Sequence, residues 1–153
     1  MKKRILTLRP ISLISISVVL LDQVSKLWAQ IHLQNQNSTI LIPYFIKLRL
    51  VTNSGAAFSL LSGSTIFLSF LSLGVATIMI IWLWKAKPLR FWEGISFALI
   101  LGGTIGNGID RFRIGYVTDF IELIPINFPI FNIADISINI ALICLLIDLA
   151  KNK

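Results

Sequence analysis

Charged residues are scarce in this chain, and cysteine and histidine occur once each. Only 14% of the 153 residues are Asp, Glu, Lys or Arg, against about a quarter in soluble domains. This low charge excludes an ordinary soluble domain. A single cysteine excludes an internal disulfide framework, and one cysteine with one histidine cannot supply a zinc site built on those ligands. We therefore expect neither a metal ion nor another cofactor.

Apolar residues, by contrast, are abundant, at 56% of the chain, and the mean hydropathy is +0.83. A membrane-spanning helix takes about 20 residues, so the length allows roughly four to six spans with short connections. We predict an all-α integral membrane protein with four transmembrane helices, forming one domain over residues 1–153.

The apolar segments place these helices at about residues 9–31, 64–84, 92–110 and 131–150. The third is rich in glycine, which permits close helix packing. Apolar and basic residues alternate from Ile46 to Leu50, which is typical of a strand. We therefore predict a small β structure on the outer surface within about residues 35–60, and an outer loop between the third and fourth helices.

The net charge of +7 comes largely from basic residues that flank the apolar segments. Nine of the 14 lie in three clusters: Lys2, Lys3, Arg4 and Arg9; Lys85, Lys87 and Arg90; Lys151 and Lys153. Basic residues concentrate on the cytoplasmic side of membrane proteins, so both termini and the middle cluster are predicted to be cytoplasmic. The expected counter-charge is the anionic lipid headgroup rather than nucleic acid.

Carboxylates also occur inside the predicted helices. At about 1.5 Å of rise per residue, Asp22, Asp110 and Asp135 lie roughly 18, 27 and 22 Å from the cytoplasmic ends of their helices. The residues that can reach this outer layer are Asp22, Lys26, Asp110, Arg111, Asp119 and Asp135. A charge in the membrane costs about 2.5 to 3.5 kcal/mol on insertion scales and usually marks a functional site.

Two interpretations of these charges remain open. Asp22 with Lys26, and Asp110 with Arg111, could be structural ion pairs that hold helices together. Asp119 has no adjacent cation in the sequence, and neither does Asp135 in the last helix. Such a pair suggests an aspartic dyad, in which one carboxylate activates water and its protonated neighbour protonates the reacting carbonyl.

A small proton-coupled transporter subunit is the main alternative function, because membrane carboxylates can carry protons. Its pathway should cross the whole membrane, whereas these carboxylates cluster at one level. Asp148, one turn from the cytoplasmic end of the last helix, is expected to be an interfacial charge near Lys151.

Five short motifs occur along the chain in a specific order. They are LDQVSK at 21–26, NSGAAFS at 53–59, GGTIGNGIDR at 102–111, VTDF at 117–120 and FNIADISI at 131–138. Their order and spacing resemble the lipoprotein signal peptidases, the bacterial signal peptidase II family. The resemblance implies an aspartic endopeptidase of the bacterial inner (cytoplasmic) membrane. Such an enzyme removes the signal peptide from diacylglyceryl-modified prolipoproteins by cutting before the lipidated cysteine.

The resemblance also implies roles for individual residues. The catalytic pair would be Asp119 and Asp135, in an active site toward the outer leaflet, with the outer segment forming a β-cradle. Substrate-binding or supporting roles would fall to Asp22, Lys26, Asn53, Gly55, Asn107, Asp110, Arg111 and Asn132. The implied partners are lipid-modified prolipoproteins and membrane lipids, and no metal is implied.

Overall fold

A computed structural model of the chain describes residues 5–34, 38–55, 63–126 and 128–152. The helices are α1 (Leu8–Leu33), α2 (Thr65–Lys85), α3 (Phe91–Ile114) and α4 (Ile133–Lys151). The predicted helix bounds agree within two residues, except at the end of α3. That helix continues past Asp110 and Arg111 to Ile114. The next residue, Gly115, has a positive φ of 80° and terminates the helix.

The central helix is α3, which packs against α1, α2 and α4. Three of its glycines allow this close approach. A Cβ atom at Gly102 would lie 2.7 Å from Val18 Cβ, and one at Gly103 would lie 2.7 Å from the carbonyl oxygen of Ala134. At Gly106 a Cβ would lie 2.6 Å from an Asp22 carboxylate oxygen. The predicted close packing of this helix is confirmed.

Helices α1, α2 and α4 are each long and apolar enough to cross a membrane. Many of their large apolar side chains face outward, such as Leu21, Ile78 and Leu146. Exposure of this kind would be costly in water and is expected against lipid. These helices indicate a multi-pass membrane protein.

Five short strands accompany the helices: β1 (Ile5–Leu6), β2 (Thr39–Ile42), β3 (Ile46–Asn53), β4 (Leu89–Arg90) and β5 (Val117–Leu123). Strands β2, β3 and β5 form an antiparallel sheet in that order, and β1 pairs with β4. The predicted strand at 46–50 is confirmed within β3. Parts of the predicted segment 35–60, namely residues 35–37 and 56–60, lie outside the described residues.

The prediction of a plain loop after the third helix was wrong, because β5 occupies part of it. This strand pairs with β3, with Val51 opposite Asp119 and Asn53 opposite Val117. Its first four residues, Val117 to Phe120, are all buried. Because both faces of the strand are covered there, the sequence lacks the alternation that reveals a half-exposed strand.

Asp148, expected to be an interfacial charge, is instead buried at 2% exposure. Its Oδ2 lies 2.6 Å from Nη2 of Arg90, the residue that joins β4 to α3. The nearby Lys151 ammonium lies over the ring of Trp92, 5.2 Å from its centroid. This end of α4 is therefore held to the start of α3 by an ion pair.

Candidate active site

Asp119 and Asp135 line one cavity of about 510 Å³ between α3, α4 and the three-stranded sheet. Asp119 is the third residue of β5, and Asp135 lies in the first turn of α4. The other lining residues are Asn53, Ser72, Thr104, Asn107, Arg111, Val117, Phe128, Pro129, Ile130, Phe131, Ile138, Asn139 and Leu142. The two carboxylates thus share a pocket lined by both apolar and polar side chains.

The start of α4 fixes the position of Asp135. Asn132 caps the helix, and its Oδ1 accepts a hydrogen bond of 3.0 Å from the backbone N–H of Asp135. In return, Asp135 Oδ2 accepts the backbone N–H of Asn132 at 3.2 Å. This reciprocal capping box holds the carboxylate at the helix N-terminus, where the aligned peptide dipoles favour negative charge.

Three asparagine amides donate to the two carboxylates. Asn132 Nδ2 donates to Asp119 Oδ1 at 2.6 Å, and Asn53 Nδ2 donates to Asp119 Oδ2 at 3.0 Å. Asn107 Nδ2 donates to Asp135 Oδ1 at 2.9 Å. Both oxygens of each carboxylate therefore accept hydrogen bonds, which fixes the orientation of the pair.

The orientation of each amide follows from its other partner, which can only donate. The oxygen of Asn53 accepts the backbone N–H of Gly55 at 2.9 Å, and that of Asn107 accepts from Lys26 Nζ at 2.8 Å. The oxygen of Asn132 accepts the Asp135 backbone N–H described above. A group that only donates must face the amide oxygen, so each NH₂ group is directed at a carboxylate.

Asp119 is the carboxyl group whose proton affinity is most clearly altered. Its side chain is buried, and burial together with the charge of Asp135 raises the pKa of Asp119 to about 7. Hydrogen bonds from Asn53 and Asn132 to the ionised form offset part of that rise in pKa. Asp119 can therefore hold a proton near neutral pH and release it during a reaction.

A buried cluster of three charged side chains supports the site. Lys26 Nζ lies 2.8 Å from Asp22 Oδ2 and 3.1 Å from Asp110 Oδ2, and all three side chains are at most 1% exposed. Asp22 Oδ1 accepts the backbone N–H of Ala134 at 2.9 Å, and Asp110 Oδ2 accepts that of Thr118 at 3.1 Å. The cluster thus connects α1 and α3 to the segments that carry the two cavity aspartates.

The ion pair of Asp22 with Lys26, which the sequence left open, is present, whereas Asp110 pairs with Lys26 rather than with its neighbour Arg111. The Arg111 side chain instead lines the cavity, where Nη2 donates to the carbonyl oxygen of Gly55 at 3.0 Å. Within the described residues, the buried Nε of Arg111 has no hydrogen-bond partner.

One polar residue of the cluster was not predicted from the sequence. Gln23 Nε2 lies 3.1 Å from Asp110 Oδ1, 3.1 Å from the Gly106 carbonyl oxygen and 3.3 Å from Asp22 Oδ2. The signal was present, since a glutamine inside an apolar helix needs partners within the bundle. It lies inside the LDQVSK motif, next to Asp22.

Comparison with known proteins gives consistent matches. Residues 14–151 match the family model described as signal peptidase (SPase) II. A lipoprotein signal peptidase of Parasynechococcus marenigrum (strain WH8102) is 51% identical over 136 residues, which cover 89% of this chain and 86% of that protein. One from Synechococcus sp. (strain RCC307) is 42% identical over 137 residues, 89% of this chain and 91% of that protein.

The fold also matches a solved structure. A bacterial membrane enzyme solved by the in meso method superposes with a TM-score of 0.86 at 31% sequence identity. The superposition covers 99% of this chain and 94% of the other. The match therefore extends over the strands as well as the helices.

Proposed function

The chain belongs to the signal peptidase II family, a family of proteases, and from this we propose that it removes signal peptides from lipoprotein precursors as an aspartic endopeptidase. The observation that supports this most is the geometry of Asp119 and Asp135. The two carboxylates line one cavity, and among the described residues each is oriented by asparagine amides and forms no ion pair with a cation.

In the proposed reaction Asp135 is ionised and Asp119 carries a proton. Asp135 takes a proton from water as the water oxygen attacks the scissile carbonyl carbon, and Asp119 donates its proton to the carbonyl oxygen. The resulting gem-diol collapses when Asp119 recovers a proton from one hydroxyl group. The C–N bond then breaks, and the leaving nitrogen takes the proton from Asp135. Both carboxyl groups return to their starting states, as the shared-proton scheme requires.

We further propose that α3 also crosses the membrane, giving four spans with both termini in the cytoplasm. Its 24 residues measure about 36 Å at 1.5 Å per residue, and its polar residues Asn107 and Asp110 are buried inside the bundle. A polar helix can span a membrane when its neighbours shield it from lipid. The cavity would then lie toward the outer leaflet of the bacterial inner membrane.

Reporter fusions test this topology. A reporter fused after Lys87 should indicate the cytoplasm, and one fused after Ser38 should indicate the outside. A Lys87 fusion that reports the outside would contradict the four-span arrangement.

The proposed substrate carries a diacylglyceryl group on the cysteine that follows the cleaved bond. A scissile bond must be held at the depth of the cavity, and acyl chains supply about 0.8 kcal/mol per buried CH₂ group. A helical signal peptide must also unwind there, because intrahelical hydrogen bonds occupy its carbonyl groups. Arg111, whose side chain lines the cavity, is the proposed donor to one of the carbonyl groups that unwinding releases.

The decisive test is incubation of the purified protein with a diacylglyceryl-modified precursor and, separately, with the unmodified precursor. We expect cleavage immediately before the modified cysteine, identified by mass spectrometry of both products, and much slower cleavage of the unmodified form. EDTA should leave the rate unchanged, because the proposed acid and base are both carboxyl groups. No cleavage of the modified precursor would refute the proposed function.

A further inference from the structure

Lys26 is buried beneath the cavity, yet one of its contacts leads directly into it. Its Nζ lies 2.8 Å from Asp22 Oδ2, 3.1 Å from Asp110 Oδ2 and 2.8 Å from Asn107 Oδ1. An ammonium group has three N–H donors, so these oxygens can occupy all three. Asp22 and Asp110 together carry more negative charge than Lys26 carries positive charge. The contact with the neutral Asn107 side chain therefore does nothing to balance charge.

That third contact connects Lys26 to Asp135. Asn107 Oδ1 faces the ammonium group, and Asn107 Nδ2 donates to Asp135 Oδ1 at 2.9 Å. Asn132 Nδ2 also lies 3.1 Å from Asn107 Oδ1. The bond from Lys26 is the shorter of the two and carries a full charge, which makes it the stronger. It polarises the amide and strengthens the donation to Asp135.

The two cavity carboxylates differ in this respect. The amides of Asn53 and Asn132, which donate to Asp119, accept from neutral backbone N–H groups. The amide that donates to Asp135 accepts from a buried ammonium group. Among the described residues, hydrogen bonds therefore connect the Lys26 ammonium group to Asp135, whereas its charge acts on Asp119 through space.

Building on the proposed function, we propose that Lys26 is a positioning residue that acts through Asn107 to keep Asp135 the ionised, water-activating member of the pair. The charged groups around Asp135 are Asp119 from β5, Arg111 from α3, and the cluster of Lys26 with Asp22 and Asp110 beneath Asn107. Lys26 itself does not reach the substrate.

The test must separate this role from simple support of the fold. Lys26→Met alone would leave two buried carboxylates without a cation and could prevent folding. The double variant Lys26→Met with Asp22→Asn keeps the net charge of the cluster unchanged. We expect this variant to fold, with kcat on modified precursor lowered by about 10- to 100-fold. KM should stay within about twofold of wild type, because the altered residues do not contact substrate.

The pH dependence of kcat is the more specific measurement. Loss of the Lys26 contact should displace the acidic limb of the profile, because that contact reaches the proposed base, Asp135, through Asn107. Ser15→Ala is the matched control, since buried Ser15 Oγ donates to the Ala98 carbonyl oxygen of α3 at 2.9 Å, far from the cavity. It should lower the unfolding temperature and leave the profile unchanged. A double variant with a wild-type profile would overturn the proposal, whatever its stability.

Infrared spectroscopy gives a measurement that does not require cleavage. Near pH 6 in the wild type, the C=O band of protonated carboxyl groups should lose intensity on Asp119→Asn but not on Asp135→Asn. When Asp135→Asn is added to the Lys26→Met, Asp22→Asn double variant, it should also remove intensity from this C=O band. If this pattern appears in a protein that cleaves no precursor, the proposed function fails and the role of Lys26 stands. If Asp135→Asn has no effect on the band in the double variant, the role of Lys26 is refuted.

Discussion

The two ends of α4 hold carboxylates in different ways. At one end Asp148 is buried beside Arg90, with 2.6 Å between Oδ2 and Nη2. At the other end Asp135 shares its cavity with Asp119, and in the described part of the chain neither forms an ion pair. Asparagine amides hold both of them instead.

This difference distinguishes a carboxylate that holds the structure together from one that can exchange a proton during a reaction. A neighbouring cation stabilises the ionised form and so resists protonation. A neutral amide also fixes the orientation of a carboxyl group, but it stabilises the ionised form less than a full positive charge does. The carboxyl group can therefore still gain and lose a proton. On this basis Asp148 joins helices, whereas Asp119 and Asp135 can perform acid–base chemistry.

The largest effect is expected when either cavity carboxylate loses its proton chemistry. Asp119→Asn and Asp135→Asn should each lower cleavage of lipid-modified precursor by about 10³-fold or more. Helix content measured by circular dichroism should not change, because an asparagine fills the same space. Near-normal turnover in either variant would refute the assignment of the pair.

Removal of the Arg111 side chain from the cavity should have the next largest effect. Arg111→Ala should lower kcat/KM by about 10- to 100-fold, the usual cost of losing a hydrogen bond to a charged group. Arg113→Ala is the matched control, because Arg113 lies two residues further along α3 and is exposed. Equal losses in the two variants would indicate a general effect of charge and not a contact in the cavity.

The raised pKa of Asp119 predicts how cleavage depends on pH. Because the pKa of Asp119 is about 7, its acid form is lost as the pH rises through 7, and kcat/KM should then fall about tenfold per pH unit. The hydrogen bond from Asn53 lowers this pKa, so Asn53→Leu should move the alkaline limb to higher pH. A shift of that limb to lower pH would contradict the acid role of Asp119.

A smaller effect, on stability alone, is expected where α3 passes closest to α4. Gly103→Ala would place a Cβ 2.7 Å from the Ala134 carbonyl oxygen and should cost about 1–3 kcal/mol of stability through overpacking. Gly74→Ala in α2 is the control, since a Cβ there meets nothing within 4 Å. Thermal unfolding in detergent micelles compares the two. Equal unfolding temperatures would argue against tight packing at Gly103.

Much of this architecture could be predicted from local sequence, because long apolar runs and their basic flanks determine where helices begin and end. The convergence of Asp22, Lys26 and Asp110 could also be predicted, since depth follows from helical rise. Local sequence could not reveal that Lys26 would serve both carboxylates. That choice depends on the rotation of α1 about α3, which the glycine contacts set.

Strand β5 and the cap at Asn132 could not be predicted from local sequence, for a related reason. The strand is recognisable only by its pairing with β3, which lies far earlier in the chain. The Asn53 and Asp119 side chains that hydrogen-bond across this pair are 66 residues apart. The motifs placed Asn132 beside the site by resemblance. Its separate contacts with Asp119, Asp135 and Asn107 arise only when β5 meets the start of α4.

The smallest effect on activity is expected at the other end of α4. Asp148→Asn removes the ion pair with Arg90, but that arginine is 42% exposed and can be hydrated in the variant. Only about 1–2 kcal/mol of stability should be lost, since no buried cation is left without a partner. Cleavage should stay within about twofold of wild type, a range small enough to rule out transition-state contacts. The measurements are thermal unfolding and turnover of modified precursor, alongside Asp135→Asn. If Asp148→Asn were as inactive as Asp135→Asn, the Lys151 end of α4 would share in the chemistry, and the separation of ion-paired from amide-held carboxylates would fail.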